Sequence, residues 1–547
     1  MRQRICAAQV KWWLVSFRRL FSGGTLCALL FLALGSAFVP RAGIEEDEAM
    51  FAAPLYRDWC FYSIPLTHGR IPIMHMTYVG ALKTWIYAPV AAVWPPDAAM
   101  LRLPAVLLGS LTILMFWMLL DSAYGRRAAW AGCVLLTTDA VFLLTTTFDW
   151  GPVALQHLLV TAALLFALWW ARTGRDAWLA AAAFCCGLAF WDKAVFAWMF
   201  TGLCAGSLVF FPLIRRRFSW RRCALIAAAL CLGASPLIYY NLASSPKFPT
   251  IRSNAQFTTN EFGQRVEILR RTWKGSGLFE LAHDSADRPN PPRGPMERAS
   301  FALHDLTGDH WQSLQEPALL AALLLLPFLR RTAARKGMLF AFIAAAIAWT
   351  TMISFGGGSS VHHSVLLWPL PQLFLGVAYA EVSGRLRLGK WALTAAVALL
   401  TVTNLLVINQ YLFLLTRNGA AGRWTDAIYP LAAELRAQHP TQLALVDWGT
   451  QDPLTFLNQD HPSERVVDDP FLPPGEPEAQ KKFDLDLLAD GGAIWVEYTP
   501  GNEITPGIND RLLQSARGAG FEPVPLEIFN DRNGRPIFQT LRFVARH

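Results

Sequence analysis

Residues 43–54 read Gly-Ile-Glu-Glu-Asp-Glu-Ala-Met-Phe-Ala-Ala-Pro, four consecutive acids (Glu45, Glu46, Asp47, Glu48) directly after an apolar run from about Leu20 to Val39. A run of about 20 apolar residues is long enough to cross a bilayer as a helix, so the acids stand just outside the membrane. Ten further apolar runs follow, at roughly 103–120, 128–147, 152–171, 177–191, 194–213, 223–241, 317–329, 338–355, 364–381 and 391–413. The pattern predicts a polytopic α-helical membrane protein with about 11 transmembrane helices.

Composition agrees. The 547 residues are 54% hydrophobic and only 16% charged, where a soluble chain would be about one quarter charged. The net charge of +8 does not point to nucleic acid, because the basic residues cluster in short loops between apolar runs, where they set topology. Arg2, Arg4, Lys11, Arg18 and Arg19 make residues 1–19 a cytoplasmic basic N-terminus, with the first span as an uncleaved signal anchor. Alternate loops are then basic: Arg126-Arg127, Arg172 with Arg175, Arg215–Arg217 with Arg221-Arg222, Arg330-Arg331 with Arg335-Lys336, and Arg385, Arg387 with Lys390. The opposite loops carry the acids and the unusual sequence: 40–102, the turn at Asp149, the turn Trp191-Asp192-Lys193, 242–316, the turn 356–363 and the tail. This places the protein in the plasma (inner) membrane with its tail extracytoplasmic. The nine cysteines form no framework, since most lie in or beside apolar runs and read as small hydrophobes.

The division predicted is 1–19, a membrane domain over 20–416 with large outer loops at 40–102 and 242–316, and an outer domain over 417–547. That tail holds short strand-like runs, Gln442–Asp447, Ala493–Tyr498 and Ile537–Val544, a helix-like Asp510–Ala519, and a turn at Asn530–Gly534. A small α/β domain follows, with the Pro-rich stretch Asp469–Pro477 as a loop inside it.

A carboxylate at the membrane surface has a chemical use. Glycosyl transfer to a hydroxyl or amine needs a group to take the acceptor's proton, and the departing phosphate needs positive charge nearby. A second carboxylate can hold a metal or orient its partner. The bland reading of Glu45–Glu48 is a solvated acidic cap on an amphipathic helix.

An Asp-Glu pair just after the first span resembles the first motif of the GT-C superfamily of membrane glycosyltransferases, in particular the branch of protein O-mannosyltransferases and the aminoarabinose transferase of lipid A. Met76–Pro89 (MTYVGALKTWIYAP) resembles the region closing that branch's first loop. Leu144–Gln156 (LLTTTFDWGPVALQ) resembles its second acidic motif, Trp191-Asp192-Lys193 its Thr-Lys turn, and Val361–Gln372 (VHHSVLLWPLPQ) its late His/Pro-rich motif. The likeness covers about residues 15–415. It implies a GT-C-like membrane domain in which Asp47 is the catalytic base or acceptor-orienting carboxylate, Glu48 its companion and Asp149 the second-motif acid. It also implies that Lys83 meets the lipid phosphate, with Lys193, His362 and His363 in further phosphate or sugar contacts. The chain departs from the branch in reading Ala-Leu-Lys-Thr where a Lys-Pro-Pro motif is usual, and Trp-Gly-Pro after Asp149. The implied partners are a polyprenyl-phosphate sugar donor, a lipid, glycan or protein acceptor, and membrane lipids. A divalent cation, held by Asp47 and Glu48, is an option left open.

Other residues admit two readings. Arg252, Arg265, Arg270 and Arg271 with Phe257, Phe262 and Trp273 form an interfacial amphipathic segment, in which Arg270 is a candidate donor-phosphate contact. Asp149, Asp192 and Lys193 are either functional or a structural Asp–Lys set. Asp121 and Asp139 receive no role. His304, Asp305, Asp309 and His310 have metal-ligand chemistry without a defining spacing. A transporter or flippase is the alternative function, and it would show paired repeats and interrupted helices. A scaffold subunit is a third. There is no Gly-rich fingerprint for a soluble nucleotide sugar.

Overall fold

The computed structural model describes residues 23–56, 60–67, 69–254, 256–258, 261–329, 332–385, 389–458, 466–468 and 485–546. The basic N-terminus 1–19, Arg330, Arg331, Arg387 and the Asp469–Pro477 stretch lie outside the described residues.

The apolar runs form helices: α1 Gly24–Phe38, α4 Ala98–Tyr124, α7 Val153–Thr173, α8 Asp176–Asp192, α9 Phe196–Arg217, α15 Gln315–Phe328, α16 Ala333–Ser354 and α19 Gly389–Arg417. Three more are bent pairs: α5 Arg126–Thr137 with α6 Ala140–Thr147 at 58°, α10 Trp220–Gly233 with α11 Ser235–Ala243 at 71°, and α17 Val361–Leu367 with α18 Leu370–Ser383 at 43°. Between the spans lie α2 Glu46–Ala49, the hairpin β1 Tyr62–Pro65 and β2 Arg70–Met74, α3 Leu82–Ala91, α12 Pro249–Asn254, α13 Phe262–Trp273 and α14 Pro295–Thr307. By length and composition five described helices can cross a membrane, or up to eight if each bent pair is one span; α1 and α15 are shorter apolar helices. This is a multi-pass α-helical membrane protein.

Helix ends follow from capping. Asp97 accepts the Met100 amide (2.7 Å) to start α4. Asp139, for which the sequence offered no role, explains the first bend. One oxygen caps the restarted helix α6 through the Phe142 amide (2.9 Å), and the other receives the Trp368 indole (2.8 Å) and the Gln372 amide (3.0 Å). It is a satisfied buried acid that fastens α6 to α18. The last bend falls at Trp368-Pro369 and the second at Ala234-Ser235-Pro236, where proline cannot continue the ladder.

Small residues set the close packing expected between membrane helices. A methyl group on Gly202 of α9 would come within 2.2 Å of the Ala344 carbonyl of α16, and one on Gly187 of α8 within 2.2 Å of the Leu230 carbonyl of α10. The loops sort to two ends of this bundle. At one end Arg172, Arg217, Arg222 and Arg385 bind the Ser122, Trp170, Arg217 and Phe328 carbonyls. At the other, the long first loop, the Asp149 and Lys193 turns, and the segment after α19 meet one another.

After α19 come α20 Ile428–Gln438, β3 Leu443–Leu445, α21 Gln451–Leu457, β4 Val466–Asp468, β5 Ile494–Tyr498, α22 Ile508–Gly518, β6 Phe521–Asn530 and β7 Pro536–Ala545. The sheet order is β4-β3-β5-β7-β6, parallel among β4, β3 and β5 and antiparallel from β5 to β7 to β6. The sheet is not a free appendage. Ile44, Ala49, Ala52 and Met100 share one apolar core with Ile428, Leu431, Leu454, Phe456 and Phe538, and the Glu46 carboxylate accepts the Asp452 amide (3.1 Å).

Candidate active site

The first loop is fixed by Arg102 of α4, which is wholly buried. Its guanidinium binds both oxygens of Glu48 (2.6 and 2.9 Å) and the carbonyls of Val39 (2.5 Å), Ala42 (3.1 Å) and Gly43 (2.6 Å). The turn leaving α1 is thereby wound around one side chain.

The four acids separate. Glu45, Glu46 and Glu48 are buried while Asp47 keeps a partly open face. Glu48 is held by Arg102 and Glu46 by the C-terminal domain. The Glu45 carboxylate accepts the Asp47 amide (2.8 Å). The expected companionship of Asp47 and Glu48 is not what the structure builds, because successive helical residues diverge by about 100° and cannot face one target. A cation held by both would have to displace Arg102. Among the described residues no three His, Cys, Asp or Glu side chains group closely enough to hold a metal ion.

Asp47 looks into a ring of other segments. The Trp150 indole donates to its Oδ2 (3.2 Å), and Trp150 stacks on His362 (4.9 Å between centroids) and meets Trp424 edge-on (5.9 Å). His362 and His363 sit side by side (4.3 Å). Burial pushes the Asp47 carboxyl above the usual aspartate range, and the charges of Lys193 and Arg423, the Trp150 bond and Lys83 pull it back. Burial, then the Asp47 charge, push Glu45 well above its ordinary value.

The two lysines differ. Lys83 of α3 is buried with Asp149, Nζ to Oδ2 2.5 Å, and lies 4.3 Å from the Phe51 ring centroid and 5.3 Å from that of Tyr87. The other oxygen of Asp149 accepts the Ala154 amide (3.0 Å) at the start of α7, from a residue in the left-handed region (φ 30°). Lys193 follows α8, aligned by backbone pairing with Val79 and by bonds from Gly80 to Asp192 (3.0 Å) and from Ala194 to Tyr78 (2.8 Å). Asp192 is itself engaged by Gln156 (2.8 Å).

Thus Asp47, Lys83, Asp149, Lys193 and His362-His363 converge, although they come from five separate stretches of sequence. Arg270 does not join them. It is exposed on α13, paired with Glu316 (2.8 Å) and Glu267 (3.4 Å). His304 stacks on Phe413 (3.5 Å) with Asp309 at 3.7 Å.

Sequence reasoning missed Arg423 and Trp424. Arg423 lies over the Trp448 ring (4.4 Å) with Glu45 at 3.8 Å, and the Trp424 carbonyl accepts the Gly43 amide (2.7 Å). Their only sequence signal is an Arg-Trp pair soon after the last apolar run.

No protein-family model matches the chain, and no curated protein matches it. Solved structures do. ArnT from Cupriavidus metallidurans in the apo state overlays with a TM-score of 0.57 at 15% identity, covering 97% of this chain and 98% of that one. ArnT bound to undecaprenyl phosphate overlays at 0.53 and 14% identity, with the same coverage of both chains. The archaeal oligosaccharyltransferase AglB overlaps at a TM-score of 0.44, too loosely to argue from. The chain shares its fold with ArnT over nearly its whole length.

Proposed function

We propose that the protein is a membrane glycosyltransferase, moving a sugar from a polyprenyl-phosphate-linked donor to a lipid, glycan or protein acceptor at the extracytoplasmic face. The observation that carries this reading is Asp47, the one acid of four with an open face, framed by lysines and an arginine at one end of the bundle. The GT-C-type fold adds support, since ArnT, which shares it, has been captured with undecaprenyl phosphate. The gathering of basic loops at the opposite bundle end favours eleven spans with the N-terminus cytoplasmic and residues 417–547 outside.

The reaction is written as one displacement. The acceptor oxygen attacks the anomeric carbon and the new C–O bond forms. The bond from that carbon to the phosphate oxygen breaks, and its electron pair leaves with polyprenyl phosphate. The acceptor proton passes to the Asp47 carboxylate, while cationic groups of the cluster meet the charge growing on the phosphate. Configuration at the sugar inverts, and a product with retained configuration would sink this route.

The three bent helix pairs are a feature that transporters also show, and they favour a transporter or flippase as second reading. Such sites lie near the midplane at the breaks. Here the charged cluster lies at helix ends, and the one acid at a break, Asp139, is spent on capping and on α18.

The test is transfer from a panel of polyprenyl-phosphate sugars by purified protein in lipid nanodiscs, wild type against Asp47→Asn. Turnover with one donor that falls by roughly 10²–10⁴-fold in the folded variant supports the enzyme. Absence of both transfer and donor binding across the panel moves the assignment to the transporter.

A further inference from the structure

We infer that the connection between α9 and α10, residues 215–222, is a docking site for the headgroup of an anionic phospholipid, at the end of the bundle opposite the acidic loop.

The stretch reads Arg-Arg-Arg-Phe-Ser-Trp-Arg-Arg, five cations in eight residues, and no Asp or Glu occurs between Asp192 and Glu261. A bias of charge is enough to set which way a loop faces. It asks for no particular fold of the loop and for no aromatic residues in it. This connection has both.

Two of the five arginines build it. Arg217 donates to the Trp170 carbonyl near the end of α7 (2.7 Å) and lies over the Trp170 ring (5.4 Å). Arg222 donates to Asp176 at the start of α8 (2.7 Å) and to the Arg217 carbonyl (2.7 Å). Ser219 caps α10 by accepting the Arg222 amide (3.3 Å). The α7–α8 turn and the α9–α10 connection are thereby clasped together, and Asp176, the acid of that turn, is used in the clasp.

The other three arginines are left over. Arg215, Arg216 and Arg221 are exposed, and among the described residues none has a hydrogen bond or an ion pair. Like charges gathered on one short connection repel one another, and a bound anion relieves the repulsion.

The aromatic residues say where that anion comes from. Phe218 and Trp220 are 56% and 80% exposed and meet edge-on (5.3 Å). At the headgroup level of a bilayer such an indole has apolar surroundings for its ring and polar ones for its N–H. Exposed Leu208 and Phe211 lead along one face of α9, at steps of three and then four residues, to Arg215. A lipid whose chains lie along this face brings its phosphate to the arginines. Free phosphate would meet the guanidiniums but gain nothing from the apolar face, so the occupant is the lipid.

Native mass spectrometry of the full chain, released from micelles holding phosphatidylglycerol and phosphatidylcholine of matched chains, counts the lipid of each kind retained. Wild type should prefer phosphatidylglycerol by roughly tenfold or more, and the preference should shrink with salt. Arg215→Gln/Arg216→Gln/Arg221→Gln should bind both lipids alike. Arg126→Gln/Arg127→Gln, which removes two exposed arginines where α4 meets α5 at the same bundle end, should keep the preference. If the triple variant does not fold, Arg221→Gln takes its place and should lower the preference about fivefold. A wild type with no preference overturns the site, as does a preference kept without the three arginines. Equal loss in the Arg126/Arg127 variant reduces the effect to diffuse surface charge and overturns it too. Displacement of the lipid by millimolar inorganic phosphate would make the site one for a free anion and overturn the lipid assignment.

Discussion

Arg102→Met should be the most damaging single change to the first loop. Arg102 and Glu48 form a fully buried pair, and the guanidinium also satisfies three carbonyls where the chain leaves α1. Methionine fills much of the volume but leaves the Glu48 carboxylate buried without a counter-charge. Breaking such a pair from one side costs about 3–5 kcal/mol, because the surviving charge is left uncompensated. Adding Glu48→Gln removes that charge while leaving the carbonyls unserved, so about half the loss should return. Unfolding titrations of the single and double variants in mixed micelles measure this, with a coupling of at least about 2 kcal/mol expected from the double-mutant cycle, since Glu48→Gln alone also strands a buried charge. A loss under 1 kcal/mol for Arg102→Met, or additive effects of the two substitutions, would refute the view that this pair organises the loop. Turnover should fall further than stability does, because Asp47 is the residue next to Glu48.

Two further expectations concern protons. Trp150→Phe deletes a hydrogen bond that lowers the Asp47 pKa, so the carboxyl rises further and the acid limb of the kcat–pH profile moves to higher pH; an unmoved limb would mean that another group titrates there. Burial, offset by Gln539 and aided by Glu503, lifts Glu497 of β5 from 4.5 to about 7. A carboxyl raised on folding stabilises the folded state while protonated, so its contribution is present at low pH and is lost as pH climbs from the ordinary carboxylate range through 7. Glu497→Gln should remove that loss, worth up to roughly 3 kcal/mol at 1.36 kcal/mol per pH unit. Amide exchange in β5 and β7 at pH 8 should slow in the variant and match wild type at pH 4, and equal exchange at both would count against it.

Much of the site could be read from the sequence because membrane insertion makes loop position legible. Apolar runs locate the helix ends, charge alternation sorts the loops to one end or the other, and residues as far apart as Asp47, Asp149, Lys193 and His362 fall at the same end. What could not be read is who partners whom. Glu48 looked like the companion of Asp47 by adjacency, but its partner Arg102 is 54 residues away on α4. Asp139 looked like a stray acid in an apolar run, because its partners Trp368 and Gln372 follow more than 200 residues later. Arg270 looked basic and interfacial, and only its exposed pairing with Glu316 places it outside the ring. The two lysines were indistinguishable by residue type and differ only in whether a carboxylate is within reach.

The Trp424 carbonyl that receives the Gly43 amide, and the indole packed on Trp150, join the beginning of the chain to a point near its end. A ribosome makes residues 43–48 long before residues 423–452, so the acidic loop emerges without its wall and must wait for the rest. A chain cut short after α19 would keep Asp47, Lys83, Lys193, His362 and His363, yet lose the contacts that Arg423, Trp424 and Asp452 make with Glu45, Trp150 and Glu46. The same join bears on protein engineering. A chimera joined at Arg417 exchanges part of the wall beside Asp47 along with the C-terminal domain, so exchange of the domain alone has to leave residues 418–426 in place.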